Sequence, residues 1–350
     1  MSANERAREM SGKTVSTRQY RLLLTSLIAA LLVSALVALC IGRYEVRIST
    51  VVRILLSKLR PTEASWEKMQ ESVVMNLRLP RVIGAILVGS ALSLSGASYQ
   101  GVFKNPLVAP DLLGVSSGAC VGASIAILTH TGPVGVQTMA FLFGMLTVGL
   151  TVLIPRLIKN NSITMLVLAG VIVSGIMSSI MGIIKYIADP ETELASITYW
   201  QMGSLAKVTL EDLPAVAIPI VLAAILLIAI RWQINLVSLG DAEAKSLGVK
   251  IGLVRGIIIL CATLLTASAV CLCGTIGWVG LVIPHLARMM VGPDNVKAIP
   301  ISCVLGALFM LFIDTLARSL TSMELPLSIL TGLIGAPFYF IILMRQRMKL

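Results

Sequence analysis

The chain has 350 residues, of which 57% are hydrophobic and 13% charged, and its formal net charge is +11. Soluble domains carry about 25% charged residues, so this composition, with a mean hydropathy of +0.93, excludes an ordinary soluble enzyme. The positive balance does not indicate a nucleic-acid partner, because Lys and Arg collect in the cytoplasmic loops of membrane proteins. The composition therefore predicts a polytopic membrane protein surrounded by lipid.

A polar leader, residues 1–20, is predicted to lie in the cytoplasm, and residues 21–350 are predicted to form one transmembrane domain. A helix needs roughly 20 apolar residues to cross a bilayer, and ten runs approach that length. We interpret them as helices because lipid cannot satisfy free backbone groups and the runs are too long for barrel strands. The prediction is an all-α polytopic membrane protein with about ten transmembrane helices. The predicted spans cover residues 21–41, 81–100, 111–129, 134–154, 163–188, 213–230, 253–274, 276–292, 299–317 and 327–344.

The connections between the spans predict the topology. Ten alternating spans place both termini in the cytoplasm, and the segments that then lie inside are enriched in Lys and Arg. The outer connection 42–80 is itself basic and is predicted to contain a short surface helix within residues 46–59. A second outer connection, 189–212, is also predicted to contain a short helix.

Residues 99–119 (YQGVFKNPLVAPDLLGVSSGA) interrupt the apolar pattern between the second and third spans. Proline lacks an N–H group and disfavours helix in the residue before it. The pairs Asn105-Pro106 and Ala109-Pro110 therefore predict a broken backbone at the inner membrane face.

The longest polar segment on the predicted inner side is 231–255. Its middle, residues 241–247, is predicted to be a short helix framed by Gly240 and Gly248. A short helix that carries both charge and leucine is suited to docking onto a soluble partner.

The sequence offers neither a catalytic constellation nor a metal cluster. Ser11-Gly12-Lys13-Thr14 lacks the preceding glycine and strand that a phosphate-binding loop requires. His285 and Arg288 would share a helix face, where they either anchor the helix end or take part in gating. Asp314 and Arg318, four residues apart, predict an ion pair at a helix end.

Several long motifs, in a fixed order, resemble those of the FecCD family. This family comprises the membrane permease subunits of bacterial type II ABC importers for iron–siderophore complexes, haem and cobalamin, and the resemblance extends from about residue 20 to the C-terminus. The motifs are residues 76–81 (NLRLPR), 96–119, 239–249 (LGDAEAKSLGV), 277–292 (GWVGLVIPHLARMMVG) and 324–337 (ELPLSILTGLIGAP).

The resemblance implies the type II ABC importer permease fold and a place in the bacterial cytoplasmic (inner) membrane. It implies a dimer, most simply a homodimer, with the translocation pathway at the interface. Two cytoplasmic ATPase subunits would bind ATP and Mg and carry out hydrolysis, so this chain would be a transport subunit without cofactor or enzymatic activity. A substrate-binding protein would dock on the outside.

The same resemblance assigns roles by position. The residues that match the segment coupled to the ATPases are Gly240, Asp241, Glu243, Ala244, Leu247 and Gly248. The outer arginines that match those docking a binding protein are Arg78, Arg81 and Arg318. Bidentate pairing with carboxylates would suit that role, although anchoring to lipid headgroups is the alternative.

Further positions match the family's gates and pathway. The cytoplasmic gate corresponds to Asn105, Leu107, Asn161, Ser162, Ile163 and Thr164. The pathway lining corresponds to Ser174, Ser178, Ser179 and Gly182, on the fifth span. Lys185, near the outer end of that span, would either meet an anionic substrate or extend to the membrane surface.

Two other classes of protein are alternatives to the permease: an ion-coupled secondary transporter and a membrane-embedded enzyme. An ion-coupled secondary transporter would place carboxylates at mid-membrane on broken helices, whereas the acids here lie mostly in connections or at span ends. A membrane-embedded enzyme would need a metal cluster or a nucleophile–base pair. As the substrate we predict a ferric siderophore, followed by haem and then cobalamin.

Overall fold

The computed structural model describes residues 15–58, 66–160, 162–321 and 323–347, and within these ranges its regular structure is entirely helical. Most of the predicted leader (residues 1–14) and the predicted gate residue Asn161 lie outside the described residues. The helices of the first half are α1 (Thr17–Cys40), α2 (Ile48–Ser57), α3 (Lys68–Phe103), α4 (Val115–Leu128), α5 (Gly132–Leu157), α6 (Ile163–Ile187) and α7 (Glu193–Met202). Those of the second half are α8 (Leu213–Ala229), α9 (Arg231–Leu239), α10 (Asp241–Ser246), α11 (Ile251–Cys273), α12 (Val279–Val291), α13 (Asn295–Ser319) and α14 (Leu327–Arg347).

Each of the ten predicted spans coincides with an apolar helix, which confirms the all-α polytopic prediction. Among the described residues, α1, α3, α5, α6, α11 and α13 are long and apolar enough to cross a membrane, and α8 with α9 forms a pair bent by 58°. The third, eighth and tenth predicted spans are shorter apolar helices: α4, α12 and residues Leu327–Ile342 of α14. The short helices predicted in the two outer connections are confirmed as α2 and α7.

Helix α3 lies at the centre of the bundle. Its most apolar window is 78% buried, as is that of α11, whereas that of α1 is only 11% buried. The helix begins at Lys68, well before the predicted start at residue 81. The added part includes a π-helical segment, Val73–Arg78, directly before Pro80. Proline cannot donate the α-helical hydrogen bond and clashes with the carbonyl four residues earlier, so the wider turn accommodates it without ending the helix.

Glycines allow α3 to approach its neighbours at backbone distance. A methyl group added at Gly89 would lie 2.1 Å from the carbonyl oxygen of Gly306 in α13, and one added at Gly96 would lie 1.9 Å from that of Gly280 in α12. Small residues at helix contacts replace the hydrophobic driving force that lipid cannot supply. Polar contacts add to this packing, since Ser95 Oγ lies 2.9 Å from Thr266 Oγ1 of α11.

Candidate functional site

The candidate site residues lie mainly towards two ends of the bundle, separated by the length of α13. At the start of α13 the Asn295 N–H donates to Asn235 Oδ1 of α9 at 3.1 Å. Arg318 lies in the last turn of α13, at the opposite end. We call these the α10 end and the arginine end.

An ion-pair cluster lies at the arginine end. Arg81 Nε donates to Asp314 Oδ1 at 2.7 Å, and its Nη1 donates to Glu324 Oε1 at 2.7 Å. Arg318 Nε stands 3.7 Å from Asp314 Oδ2, so the predicted pair exists but is looser than the contact with Arg81. Asp314 is completely buried. Its carboxylate therefore depends on these guanidinium groups for compensation of its charge.

Two guanidinium groups at the arginine end also bind the end of α1. Arg78 Nη1 donates to the carbonyl oxygens of Leu39 and Cys40 at 2.7 and 2.9 Å, and Arg318 Nη2 donates to that of Ala38. The last carbonyls of a helix lack partners within the helix and attract positive charge. Arg78 and Arg318 thus fix α1 to α3 and α13.

This burial differs from the expectation of surface arginines free to dock a partner. Arg78, Arg81 and Arg318 are only 5–7% exposed and all have partners within the chain. Sequence spacing indicated the Asp314 partner of Arg318, but it could not indicate the carbonyl groups of α1 or the carboxylate partners of Arg81, which come from distant segments. Sequence reasoning also assigned no role to Glu324, although it opens the ELP motif.

A cavity of about 960 Å³ opens beside the cluster, between α7 and the stretch that precedes α14. Its walls are mainly apolar and include Tyr199, Met202 and Pro326. Glu324 also lines it and is partly exposed. The carboxylate that binds Arg81 is therefore accessible from the cavity.

The predicted coupling segment forms α10 at the other end. Gly240 (φ 149°) precedes the helix and Gly248 (φ 78°) follows it, and both values favour glycine. The buried Ala244 anchors α10, and Asp241 accepts two hydrogen bonds from Arg255 Nη2 of α11 at 2.9 and 3.1 Å. The helix that the sequence predicted for residues 241–247 is confirmed. Asp241, Glu243 and Leu247 are all exposed.

The predicted gate residues that the structure describes lie at or next to two backbone breaks. Asn105 Oδ1 accepts the N–H of Leu107 at 2.9 Å, the local bond by which Asn stabilises a turn. Leu107 is 56% exposed. Ser162 caps α6, its Oγ accepting the Met165 N–H at 3.2 Å, and Thr164, the second residue of the helix, is exposed.

Ile163 is the first residue of α6 and is half-buried. The first turns of α6 lie against the break between α3 and α4, because a methyl group added at Gly170 would lie 2.4 Å from the Leu112 carbonyl oxygen. The structure thus places the start of α6 beside the segment that follows α3.

Helix α6 presents the predicted pathway residues on one exposed face. Ser178, Ser179 and Gly182 are exposed, and Ser174 is half-buried at the edge of the face. A methyl group added at Gly182 would have no neighbour within 4 Å. Lys185 is exposed one turn further along.

The other edge of the exposed face of α6 is apolar. Ile176 and Ile183 are 51% and 63% exposed. Since successive residues of a helix are rotated by about 100°, Ser178, Gly182 and Lys185 line one edge and these isoleucines the other. Within the described ranges, no group of three or more His, Cys, Asp or Glu residues is placed to bind a metal ion.

Known proteins resemble this chain both in sequence and in fold. The sequence profile of the FecCD transport family matches residues 30–346. The chain is 40% identical over 328 residues to the molybdate import system permease protein MolB of Haemophilus influenzae, covering 94% of this chain and 97% of the relative. It is 34% identical over 335 residues to the hemin transport system permease protein HmuU of Yersinia pestis, with the same shares covered. A solved structure, an inward-facing conformation of an ABC transporter described as metal-chelate type, superposes with a TM-score of 0.83 at 38% identity, covering 93% of this chain and 99% of that one.

Proposed function

The chain belongs to the FecCD transport family, and from this premise we propose that it forms the translocation pathway for a bulky metal chelate, most simply a ferric siderophore. It is a multi-pass permease subunit of an ABC importer. The observation that carries the substrate class is the superposition, over nearly the whole chain, with a transporter described as metal-chelate type. Haem and cobalamin are the alternatives within the class.

One relative supports a second candidate substrate. The MolB protein, 40% identical over almost its full length, is named for molybdate, a small oxyanion and not a chelate. Lys185, exposed on the pathway edge of α6, would attract either an oxyanion or an anionic chelate. Both candidate substrates are therefore proposed to carry negative charge where they pass Lys185.

The pathway is proposed to lie between this chain and a second copy. The exposed small residues Ser178 and Gly182 suit a water-filled face, and Ser174 and Ser179 complete the proposed lining. Glycine and serine leave room for a bulky substrate and offer it no strong binding site. The cavity beside Glu324 is the proposed outer entrance.

Coupling is proposed to run through α10. Two ATPase subunits that bind ATP and Mg would each receive the exposed surface of one α10, with Asp241, Glu243 and Leu247 in contact. Ala244 and the two flanking glycines would hold the helix in position. Under this proposal the α10 end and both termini lie in the cytoplasm.

Gating is proposed for the two exposed breaks near that end. Asn105 and Leu107 would close the pathway on one side, and residues 161–164 on the other. Two backbone breaks beside one another, with Asn105, Leu107 and Ser162 exposed, support this assignment.

Docking of a binding protein is proposed at the arginine end, by exchange of partners. Arg81 already holds Glu324, which is partly exposed and lines the cavity. A carboxylate from the binding protein could replace Glu324 without uncovering a buried charge. Arg78 and Arg318 would support the site through their bonds to α1.

The direct test uses the permease purified with its ATPase and binding protein, in proteoliposomes. Uptake of a ferric siderophore, haemin, cobalamin and molybdate is measured with ATP and with an ATPase variant that binds but does not hydrolyse it. We expect ATP-dependent uptake of the ferric chelate. Uptake of molybdate alone would overturn the chelate proposal, and ATP-independent uptake coupled to a proton or sodium gradient would overturn the importer class.

A further inference from the structure

A second buried polar contact lies at the inner end of α3, away from the arginine cluster. Gln100 is 5% exposed, and its amide is bonded on both sides. Its Nε2 donates to the carbonyl oxygens of Val108 and Gly280 at 3.1 and 3.3 Å, and its Oε1 accepts from Arg288 Nη2. Because a guanidinium can only donate and a carbonyl can only accept, these partners fix the orientation of the amide.

The bond to Gly280 has a specific cause in the sequence. Gly280 lies in the first turn of α12, and the residue four positions later is Pro284. Proline has no N–H group, so the Gly280 carbonyl has no α-helical partner and would be buried without one. Gln100 supplies the missing donor. Gly96, one turn earlier on α3, allows the approach because it carries no side chain.

The bond to Val108 brings in the break between α3 and α4. Val108 lies within residues 104–114, the segment that carries Asn105 and Leu107. The same segment touches α12 directly, because Pro110 Cγ would lie 2.1 Å from a methyl group added at Gly280. Gln100 therefore adds a hydrogen-bonded link to the direct contact between this segment and α12.

We propose that Gln100 is a positioning residue that fixes the segment 104–114 to α12, so that the two move as one body. This inference rests on the proposed function, in which Leu107 belongs to the gate. Arg288, on the inner half of α12, holds the Gln100 amide in this orientation by donating a hydrogen bond to its oxygen. Removing the amide donor breaks the bonds to Val108 and Gly280 and leaves the segment held to α12 by packing alone, whereas removing Arg288 leaves both donor bonds in place.

The test is a labelling experiment on Val108→Cys in the full permease–ATPase complex in nanodiscs. Val108 is 6% exposed, so a hydrophilic maleimide reacts with this cysteine only when the segment detaches. The chain without the substitution gives the background from its six native cysteines, four of which are buried.

Three changes separate the two sides of the amide. Gln100→Leu removes both the amide donor and the amide acceptor. Gln100→Glu keeps an acceptor for Arg288 but removes the donor. We expect both variants to react at least about tenfold faster, since each leaves buried carbonyls without a partner. Arg288→Gln should stay within about threefold of the parent, because the donors remain.

Ser95→Ala is the matched control. Ser95 is buried on the same helix and bonds to α11 instead of α12, so its loss should weaken the bundle without exposing Val108. If Gln100→Leu does not fold, Gln100→Glu carries the test, since it preserves side-chain size. Labelling at the parental rate in Gln100→Glu, or an equal increase in Ser95→Ala, would overturn the inference.

Uptake measured on the same variants separates the inference from the proposed function. Faster labelling with unchanged ATP-coupled uptake would leave the positioning role standing and overturn the gating role of this segment. Unchanged labelling overturns the positioning role whatever the uptake.

Discussion

Arg81 Nε donates a hydrogen bond to Asp314 Oδ1 at 2.7 Å, and the two residues are 233 positions apart in the chain. The bond joins α3 to α13, and Asp314 is completely buried. A buried carboxylate is tolerated only when it is paired, so this contact fixes the relative position of the two helices at the arginine end. Arg81 therefore has a structural role within the chain, in addition to any role in binding a partner protein.

Replacing Asp314 should destabilise the bundle. Asp314→Asn leaves Arg81 and Arg318 without their shared charge partner, and breaking a buried pair costs roughly 3–5 kcal/mol. Thermal or denaturant unfolding of the purified permease measures the loss. Glu71→Gln is the control, because Glu71 pairs with Lys58 at the surface and its loss should be much smaller. Equal effects for the two variants would contradict the role given to Asp314.

Replacing Glu324 should favour docking of the binding protein. Glu324→Gln removes the partly exposed competitor for Arg81, so we expect the affinity of the binding protein to rise about threefold or more, an effect of the size seen for partly exposed ion pairs. Affinity is measured at low and high salt, since the effect should shrink as salt screens the charges. Glu191→Gln, an exposed acid in another segment, should change affinity little. Weaker docking in Glu324→Gln would indicate that Glu324 itself contacts the partner.

A methyl group at Gly240 should uncouple transport from ATP hydrolysis. Gly240→Ala places a side chain at φ 149°, 2.0 Å from Glu243 Oε2, and such backbone strain costs roughly 1–3 kcal/mol. We expect α10 to shift and ATP-dependent uptake to fall about tenfold while the ATPase subunits still hydrolyse ATP. Gly252→Ala, where no atom lies within 4 Å, adds the same methyl group in α11 and should be nearly neutral. Normal uptake in Gly240→Ala would count against a precise placement of α10.

A large side chain on the pathway face of α6 should block transport without unfolding the chain. A methyl group added at Gly182 would have no neighbour within 4 Å in the single subunit, so the thermal stability of Gly182→Leu should stay close to that of the parent. Uptake should be lost, because the added side chain enters the proposed pathway. Gly149→Leu, equally open but on α5, should transport normally. Retained uptake in Gly182→Leu would move the pathway away from this face.

Lys185 should discriminate by substrate charge. Lys185→Met removes the cation from the pathway edge of α6, and uptake of an anionic chelate or of molybdate should fall several-fold, as expected for the loss of steering by one charge. Uptake of an uncharged chelate should be unaffected. Lys207→Met, exposed in a different connection, is the control. An equal loss for charged and uncharged substrates would show that Lys185 acts through structure and not through charge.

The elements that the sequence predicted well share a local cause. The ten apolar runs, the surface helices and the glycine-framed α10 follow from hydropathy and from residues that begin or end helices, which act within a few positions. The apolar run predicted a start of α3 at residue 81, whereas the helix begins at Lys68 and continues through Pro80. The π-helical turn that accommodates it depends on packing and not on propensity.

By itself, the sequence determined the family, the helical membrane architecture and the positions of α10 and of the break after α3, because each is a pattern of neighbouring residues. Only the tertiary structure decided that Arg78, Arg81 and Arg318 are buried and partnered within the chain, and that Gln100 joins the break to α12. The reason is physical: most partners of these side chains are groups brought in by other helices, such as Asp314 for Arg81 and the Ala38 carbonyl for Arg318. A buried polar group takes whichever partner the packing of the helices brings within about 3 Å.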